Sequence, residues 1–271
     1  MPELPEVETT RRGIAPSLEG RRIARVIIRE RRLRWPVPPG LERRLTGRTV
    51  TGVRRRAKYL LIDTEAGTLI AHLGMSGSLR VLGGDAPLIA HDHVDLVLDS
   101  GRILRFNDPR RFGCLQWVEG DAGQHPLLAH LGPEPLEDDF SGDILWRRAR
   151  GRRVAIKLFI MNAQIVVGVG NIYASEALFR AGIRPGTPAR RVSRARMAAL
   201  AAAIREVLGE AIKVGGTTLR DYVSPDGMPG YFRQKLFVYE RAGEPCRRCR
   251  TPIRHAVQGQ RSTYYCPSCQ K

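Results

Sequence analysis

The first residues of the chain could supply a nucleophile. The sequence begins Met1-Pro2-Glu3, and we expect Met1 to be removed because it precedes a small residue, which exposes the secondary amine of Pro2. An α-amine titrates near pKa 8, so roughly a tenth of it is free base at pH 7, far more than for a lysine. When such an amine attacks an aldehyde-level carbon it forms an iminium ion, which draws in electrons for a later elimination. Glu3 would be the neighbouring acid.

Four cysteines have the spacing of a metal site. They form two Cys-x-x-Cys pairs separated by 16 residues, namely Cys246, Cys249, Cys266 and Cys269. Two such pairs complete a tetrahedral thiolate shell for Zn²⁺, and four protein ligands leave no open position. The sequence therefore predicts one structural zinc ion. The fifth cysteine, Cys114, lies in an apolar run and is expected to be a small buried side chain.

The segment between the two cysteine pairs is basic. It contains Arg254, His255 and Arg261 but no acidic residue, and its pattern predicts a β-hairpin. A basic hairpin held by zinc suits a phosphate backbone.

The charge of the whole chain also indicates a polyanionic partner. Lysine and arginine number 45 against 27 acidic residues, which gives a net charge of +18. Such an excess favours nucleic acid binding, although a ribosome-associated protein would share it. The sequence contains no run of 18 apolar residues, so it predicts no membrane-spanning helix, and the acidic N-terminus does not resemble a secretory signal. Paired cysteines without a secretory signal favour a reducing compartment, so we expect a cytoplasmic protein.

The elements that must position these residues change in kind along the chain. Residues 5–18 predict a helix, and short β-type runs between 22 and 118 predict a sandwich or a barrel. A segment rich in Gly, Asp and Pro then predicts a linker. Helical patterns follow at 152–162, 171–182 and 193–216, the last with Ser193 as N-cap. Residues 217–232 predict a polar loop.

Motifs over nearly the whole chain resemble one family. They are "PELPEVETTRR", "RRAKYLL", "HLGMSGSLR", "NDPRRFG", "GVGNIYASEALF", "GGTTLRDYVSPDGMPGYF" and "TYYCPSCQK", and they follow the order found in formamidopyrimidine-DNA glycosylases. The resemblance implies an α+β multidomain fold with an N-terminal β-sandwich and flanking helix, a helix-two-turn-helix domain and a four-cysteine zinc ribbon. The implied boundaries are 1–120 for the catalytic sandwich, 121–142 for a linker, 143–232 for the helical domain with a lesion-capping loop, and 233–271 for the ribbon.

The resemblance also implies four catalytic roles. Pro2 would be the Schiff-base nucleophile, and Glu3 the acid that helps to open the sugar. Lys58 would be the cation and proton donor for β-elimination. Arg261 would be the δ-elimination residue, and since an arginine stays protonated, we expect it to clamp and polarise the leaving phosphate.

The DNA contacts implied by the resemblance fall into two groups. Met75, Arg110 and Phe112 match an intercalation triad that fills the space left by an extruded base, pairs with the orphaned base and wedges the neighbouring step. The other DNA-binding positions are His72, His91, Arg153 and Asn171. One departure is Asn162, where relatives are expected to carry Asp, and it affects a local contact only.

The resemblance therefore implies a bifunctional glycosylase and AP lyase that acts on oxidised purines in damaged double-stranded DNA. We expect a monomer without an organic cofactor. Two alternatives stay open at this point. One is an endonuclease VIII-like glycosylase for oxidised pyrimidines, and the other is a non-enzymatic zinc-ribbon DNA-binding protein.

Overall fold

The computed structural model describes residues 2–216 and 232–271. The described residues form two compact units, one made of 2–129 with 215–216 and the other of 130–214 with 232–271. The predicted loop 217–232 lies outside the described residues, except for its last residue, where a short 3₁₀ helix begins. In the part of the chain that the structure describes, no helix is long and apolar enough to cross a membrane.

The first unit contains two α-helices and eight strands in its described residues. The helices are α1 (Leu4–Leu18) and α2 (Leu41–Leu45). The strands are β1 (Ile23–Ile28), β2 (Val50–Arg56), β3 (Tyr59–Thr64), β4 (Gly67–His72), β5 (Ser78–Leu82), β6 (Asp92–Leu98), β7 (Ile103–Asn107) and β8 (Cys114–Val118).

The strands form two antiparallel four-stranded sheets in the orders β1-β6-β7-β5 and β2-β3-β4-β8. One hydrophobic core takes side chains from both sheets and from α1, whose Val7, Ile14 and Leu18 are buried in it. The structure thus confirms the β-sandwich with its flanking helix. Strand β5 was not predicted from the sequence, because its five residues lie between glycine-rich segments that resemble a continuous loop.

The second unit holds four α-helices and a hairpin in its described residues. They are α3 (Gly142–Ala149), α4 (Ile156–Met161), α5 (Asn171–Arg180), α6 (Arg194–Lys213), β9 (Arg254–Gln258) and β10 (Arg261–Tyr265). Ser193 caps α6 as predicted, since its side chain accepts a hydrogen bond from the Arg196 N–H. The helix predicted over 152–162 starts only at Ile156, because Gly151 adopts a left-handed conformation and the chain stays extended after it.

Candidate active site and DNA-binding surfaces

The N-terminal residues form the start of α1. Pro2 and Glu3 are both buried, and Glu3 is the N-cap of the helix. A capping box closes this end, because the Glu3 side chain accepts the backbone N–H of Glu6 and Glu6 Oε2 accepts the Glu3 N–H at 2.8 Å. The capping box fixes the backbone on the C-terminal side of Pro2.

Gly216 lies against this capping box. Its φ is +79°, and a Cβ placed there would approach Glu6 Oε1 to 2.9 Å. A larger residue would therefore be strained in its backbone and would push against the carboxylate that caps Glu3. The sequence alone gave no signal that this glycine contacts the start of α1.

Lys58 lies in a two-residue hairpin turn. Strands β2 and β3 pair as far as Arg56 and Tyr59, so the turn consists of Ala57 and Lys58. Ala57 has a φ of +55°, a conformation that suits glycine and is strained for alanine. Its side chain is nevertheless buried, at 3% exposure. The turn that presents Lys58 is consequently held in one conformation by its surroundings.

A charged link ties the helix that follows Pro2 to the strand that precedes Lys58. The Arg55 Nε lies 3.3 Å from Glu8 Oε2, and Arg55 Nη1 donates to the Ala57 carbonyl at 3.0 Å. Glu8 also accepts from Arg11 and Arg12, and these arginines hold its pKa below its usual value although burial opposes this. Arg55 thereby fixes the turn of Lys58 to the helix of the proposed nucleophile.

We expect Arg55→Ala to slow strand cleavage by more than its loss of folding stability alone would cause. The substitution removes a hydrogen bond to the strained turn and one partner of a largely buried ion pair, which destabilises the fold by roughly 2–4 kcal/mol. Arg54→Ala is the matched control, because Arg54 is exposed and its pair with Asp63 is worth about 0–1 kcal/mol. Urea unfolding and single-turnover strand cleavage measure the two effects. Equal behaviour of the two variants would contradict the role of Arg55.

His72 lies beside Lys58 on the neighbouring strand. It pairs with Tyr59 in the sheet, and the centres of the two rings lie 4.8 Å apart with their planes tilted by 51°. Its Nδ1 accepts the Gly74 N–H at 2.9 Å, so the ring proton lies on Nε2. Burial, together with the charges of Lys58 and Arg34, lowers the pKa of His72 to about 4. The imidazole is therefore a neutral N–H donor, which suits a phosphate oxygen.

The pKa of His72 predicts a pH dependence of stability. Because the folded-state pKa is about 4 and the ordinary value is 6.5, the unfolded chain binds this proton first as the pH falls. The contribution of His72 is complete above pH 6.5 and is lost between pH 6.5 and 4, by up to about 3 kcal/mol. In His72→Gln, the slope of unfolding free energy against pH should be smaller over this range. Identical slopes for both proteins, measured by urea titration at several pH values, would refute the assignment.

Cys114 lies on β8, where it pairs with His72 of β4. It is buried, as expected, and burial raises the pKa of its thiol to about 11. A thiol that stays protonated is a packing residue rather than a nucleophile.

The predicted triad lies on two loops of the sandwich. Met75 is half-buried after β4, whereas Arg110 and Phe112 are exposed before β8. The Arg110 guanidinium lies 4.8 Å from the centre of the Phe112 ring. Gly74 packs directly on the Phe112 backbone, where a Cβ would come within 2.5 Å. The two loops that carry the three predicted residues are thus in contact.

His91 is exposed at the end of a third loop and has a φ of +72°. Its carbonyl accepts the Asp108 N–H at 3.1 Å, and the Asn107 side chain donates to the Ala90 carbonyl at 2.8 Å. The loop is therefore fixed by the residues that end β7.

In the second unit, Asn171 is the first residue of α5, after a two-turn segment that follows α4. Its Nδ2 lies 3.5 Å from the Tyr239 hydroxyl, and its buried Oδ1 has no hydrogen-bond partner within the described residues. A helix N-terminus with an amide that is not fully satisfied suits an anion. Arg153 is exposed three residues before α4. Both residues lie in this unit.

Glu176 holds the segment that carries Tyr239. Its carboxylate accepts the backbone N–H groups of Phe237, Val238 and Tyr239, each at 2.9 Å. Burial raises the pKa of Glu176, although these three donors act in the opposite direction. Sequence analysis missed this residue, because its partners lie about sixty residues further along the chain.

The four cysteines converge as predicted. Their sulfur atoms all lie within 4.8 Å of one another, with Cys246 and Cys269 at 4.0 Å and Cys249 and Cys266 at 3.4 Å. Thiolates bound to one tetrahedral zinc at 2.3 Å lie about 3.8 Å apart. The donor set and the spacing therefore fit one structural Zn²⁺, which would be held by these four residues and would leave no position for a substrate.

Arg261 lies just after the tip of the hairpin between the two cysteine pairs. Gly259 and Gln260 form a two-residue turn in which both have positive φ, so Arg261 starts β10. The fully buried Lys157 supports this strand, because its Nζ donates to the Ser262 carbonyl at 2.7 Å and to Thr263 Oγ1 at 2.8 Å. Arg261 itself is exposed. Sequence analysis did not single out Lys157, although it is one of only five lysines.

Comparisons with protein families agree with this geometry. The formamidopyrimidine-DNA glycosylase N-terminal domain matches residues 1–115, the H2TH domain of the same family matches 131–223, and the zinc finger found in FPG and IleRS matches 243–271. The formamidopyrimidine-DNA glycosylase of Thioalkalivibrio sulfidiphilus is 65% identical over 271 residues, which is 100% of both chains. That of Stenotrophomonas maltophilia is 60% identical over 272 residues, again with 100% of both chains covered.

Solved structures give the same result. The crystal structure of MutM (Fpg) from Thermus thermophilus is 40% identical with a TM-score of 0.89 and covers 99% of this chain and 98% of its own. Lactococcus lactis Fpg in complex with DNA that contains an abasic site is 33% identical with a TM-score of 0.92, with 99% of each chain covered. The chain accordingly belongs to the formamidopyrimidine-DNA glycosylase family.

Proposed function

We propose that the protein is a bifunctional DNA glycosylase and AP lyase in base-excision repair. It would excise 8-oxoguanine and formamidopyrimidines from duplex DNA and nick the strand by β,δ-elimination. The observation that carries this proposal is the capping box at Glu3, which holds Pro2 at the start of a helix that Arg55 ties to the turn of Lys58. The activity that gives the relatives their name supports the same reaction.

The first stage would be base release. The Pro2 nitrogen attacks C1′, the bond from C1′ to the damaged base breaks, and the base leaves with a proton. Glu3 lies next to this nitrogen in sequence and is buried, so it can give a proton to the sugar ring oxygen as the ring opens. The product is an iminium ion between Pro2 and C1′.

The second stage would be strand cleavage. Loss of a proton from C2′ sends electrons into the iminium and breaks the C3′–O bond, and loss of the C4′ proton later breaks the C5′–O bond. Lys58 would supply the cation beside the sugar and phosphate for the first elimination. Arg261 would clamp the second leaving phosphate through its fixed charge, and water would then release Pro2 from the sugar fragment.

Damaged double-stranded DNA would be bound by the sandwich, the helical domain and the zinc ribbon. Extrusion of a base leaves a hole in the stack, which Met75, Arg110 and Phe112 would occupy from their adjoining loops. The phosphate contacts would come from His72, His91, Arg153 and Asn171. The zinc ion would hold the hairpin of Arg261 in place and take no part in the chemistry.

The proposal also includes the oligomeric state, the location and the domain boundaries of the protein. The protein would act as a monomer in the cytoplasm, without an organic cofactor. The domain division would be 1–120, 121–142, 143–232 and 233–271.

Base release from matched duplexes tests the proposal. We expect faster release of 8-oxoguanine than of thymine glycol, together with a covalent protein–DNA adduct when borohydride is present during turnover. Faster release of thymine glycol would instead support an endonuclease VIII-like enzyme. Tight DNA binding without any adduct on oxidised or abasic duplexes would support a non-enzymatic DNA-binding protein and overturn the proposal.

A further inference from the structure

Asp108 lies at the centre of the three loops that carry the DNA-binding residues of the sandwich. Its side chain is fully buried, at 0% exposure. Oδ1 accepts the Ser76 hydroxyl at 3.0 Å, and Oδ2 accepts the Gly113 N–H at 2.8 Å. One carboxylate therefore joins the loop after β4 to the loop before β8.

Further bonds of Asp108 extend this arrangement. Oδ1 lies 3.3 Å from the Arg110 N–H, and the Asp108 carbonyl accepts the Arg111 N–H at 3.2 Å. Its own N–H donates to the His91 carbonyl at 3.1 Å, and its carbonyl lies 2.8 Å from His93 Nε2. Asp108 is thus bonded to three separate loops of the chain.

The residues fixed by these bonds are the neighbours of the proposed DNA contacts. Ser76 follows Met75, Gly113 follows Phe112, and the other bonds reach Arg110 and His91 directly. None of these contacts involves Pro2, Glu3 or Lys58. The bonds of Asp108 therefore bear on how the duplex is held and leave the nucleophile untouched.

We infer that Asp108 is a positioning residue that assembles the intercalating loops before DNA arrives. This inference rests on the proposed function, since it assigns the loops to a duplex with an extruded base. The bonds of the buried Asp108 to the Ser76 hydroxyl and to the His91 carbonyl cross to the other two loops and oppose their separation, because separation would leave hydrogen-bonding groups of Asp108 unpaired inside the protein. The loops thus meet the duplex already arranged, and the binding free energy is not spent on ordering them.

Asp108→Asn tests the inference. The amide keeps the shape of the carboxylate, but its NH₂ group must face either the Gly113 N–H or the Ser76 hydroxyl and the Arg110 N–H. The Ser76 hydroxyl can turn to accept from the NH₂ group, whereas a backbone N–H cannot, so at least one backbone N–H loses its acceptor. Ser76→Ala removes only the bond to the loop of Met75 and covers the case in which the first variant fails to fold. Asp99→Asn is the matched control, because Asp99 is exposed and its side chain accepts the Arg22 N–H, far along the chain from these loops.

Two substrates separate positioning from catalysis. On duplex 8-oxoguanine we expect single-turnover excision by Asp108→Asn to fall on the order of 10- to 100-fold, as misplacement by about 1 Å can cause. Ser76→Ala should show a smaller loss, and Asp99→Asn should match the wild type. Borohydride trapping on a single-stranded abasic oligonucleotide, which has no orphaned base, should stay within about twofold of the wild type for all three.

A readout independent of turnover is the fluorescence of 2-aminopurine placed next to an abasic analogue in the duplex. With wild-type protein we expect the intensity to rise as the neighbouring step is wedged, and with Asp108→Asn we expect a smaller rise at saturating protein. Thermal unfolding reports whether each variant is folded.

Three results would overturn the inference. They are wild-type duplex excision and fluorescence in folded Asp108→Asn, an equal loss on duplex and single-stranded substrates, and a wild-type response of Ser76→Ala if Asp108→Asn does not fold. Failure of the proposed function would give a different result, because the wild-type protein itself would then show no base excision and no covalent adduct. The fluorescence comparison would still decide the role of Asp108 in that case.

Discussion

Replacing Pro2 with glycine should abolish borohydride trapping and lower base excision by a factor on the order of 10³, which corresponds to about 4 kcal/mol of activation free energy. Glycine leaves a primary amine, whose imine must be protonated before it can withdraw electrons, whereas the iminium of a secondary amine is charged at once. Glycine also removes a ring that is buried at the start of α1. Single-turnover excision and trapping on an oxidised duplex measure the effect.

Pro5→Gly is the matched control for this substitution. It changes a proline in the first turn of the same helix but leaves the terminal amine intact. It should lower stability slightly and still give the adduct. An intact mass is also needed, because retained Met1 would block the secondary amine of Pro2. Wild-type trapping by Pro2→Gly would show that another group is the nucleophile.

Replacing Cys266 with serine should remove the zinc ion and weaken DNA binding at least about tenfold. Structural zinc contributes on the order of 10 kcal/mol or more to the folding of small metal domains, so the hairpin that carries Arg261 should lose its structure. Phe179 of α5 packs in the same hydrophobic cluster as Cys246 and Cys266, so part of the second unit should loosen as well. The N-terminal sandwich, which contains the proposed nucleophile, has a separate core. Trapping on a single-stranded abasic oligonucleotide should therefore persist. Zinc release and fluorescence anisotropy with duplex DNA measure the two losses.

Cys114→Ser controls for a buried cysteine outside the metal cluster. Its thiol lies in the sandwich, and this variant should retain one zinc and bind DNA as the wild type does. Full zinc content in Cys266→Ser would contradict the four-thiolate site. Loss of the zinc ion without any change in the affinity for duplex DNA would contradict the role of the hairpin in DNA binding.

Local signals in the sequence predicted the parts of the fold that depend on neighbouring residues. Ser193 could be identified as a helix cap because its bond is made three residues away, and the cysteine pairs because a metal imposes their spacing. Helix α3 was not predicted, and its first residue, Gly142, was placed at the end of the linker expected over 121–142, since the helix begins with Gly-Asp and its cap, Ser141, follows a run of loop-forming residues. The local sequence pattern does not show whether residues at such a boundary between a loop and a helix pack on the rest of the unit.

The candidate site could be predicted only in part. Pro2, Lys58 and the cysteines are chemically distinctive residue types, and a resemblance to a family gave them roles. The residues that hold the candidate catalytic and DNA-binding groups in place were missed, because Arg55, Asp108, Glu176 and Lys157 act on partners far away in sequence. A buried carboxylate or ammonium can be recognised as a positioning group only when its partners are known in three dimensions.

The left-handed conformation of Ala57 has a consequence for how the enzyme could be improved. Glycine would relieve a steric penalty of roughly 1 kcal/mol at this turn, so Ala57→Gly is an attractive thermostabilising substitution. The same change would give the hairpin end more accessible conformations, and Lys58 would spend less time in the one that serves elimination. A variant that melts later yet cuts more slowly would show that heat resistance and turnover compete at this single backbone position.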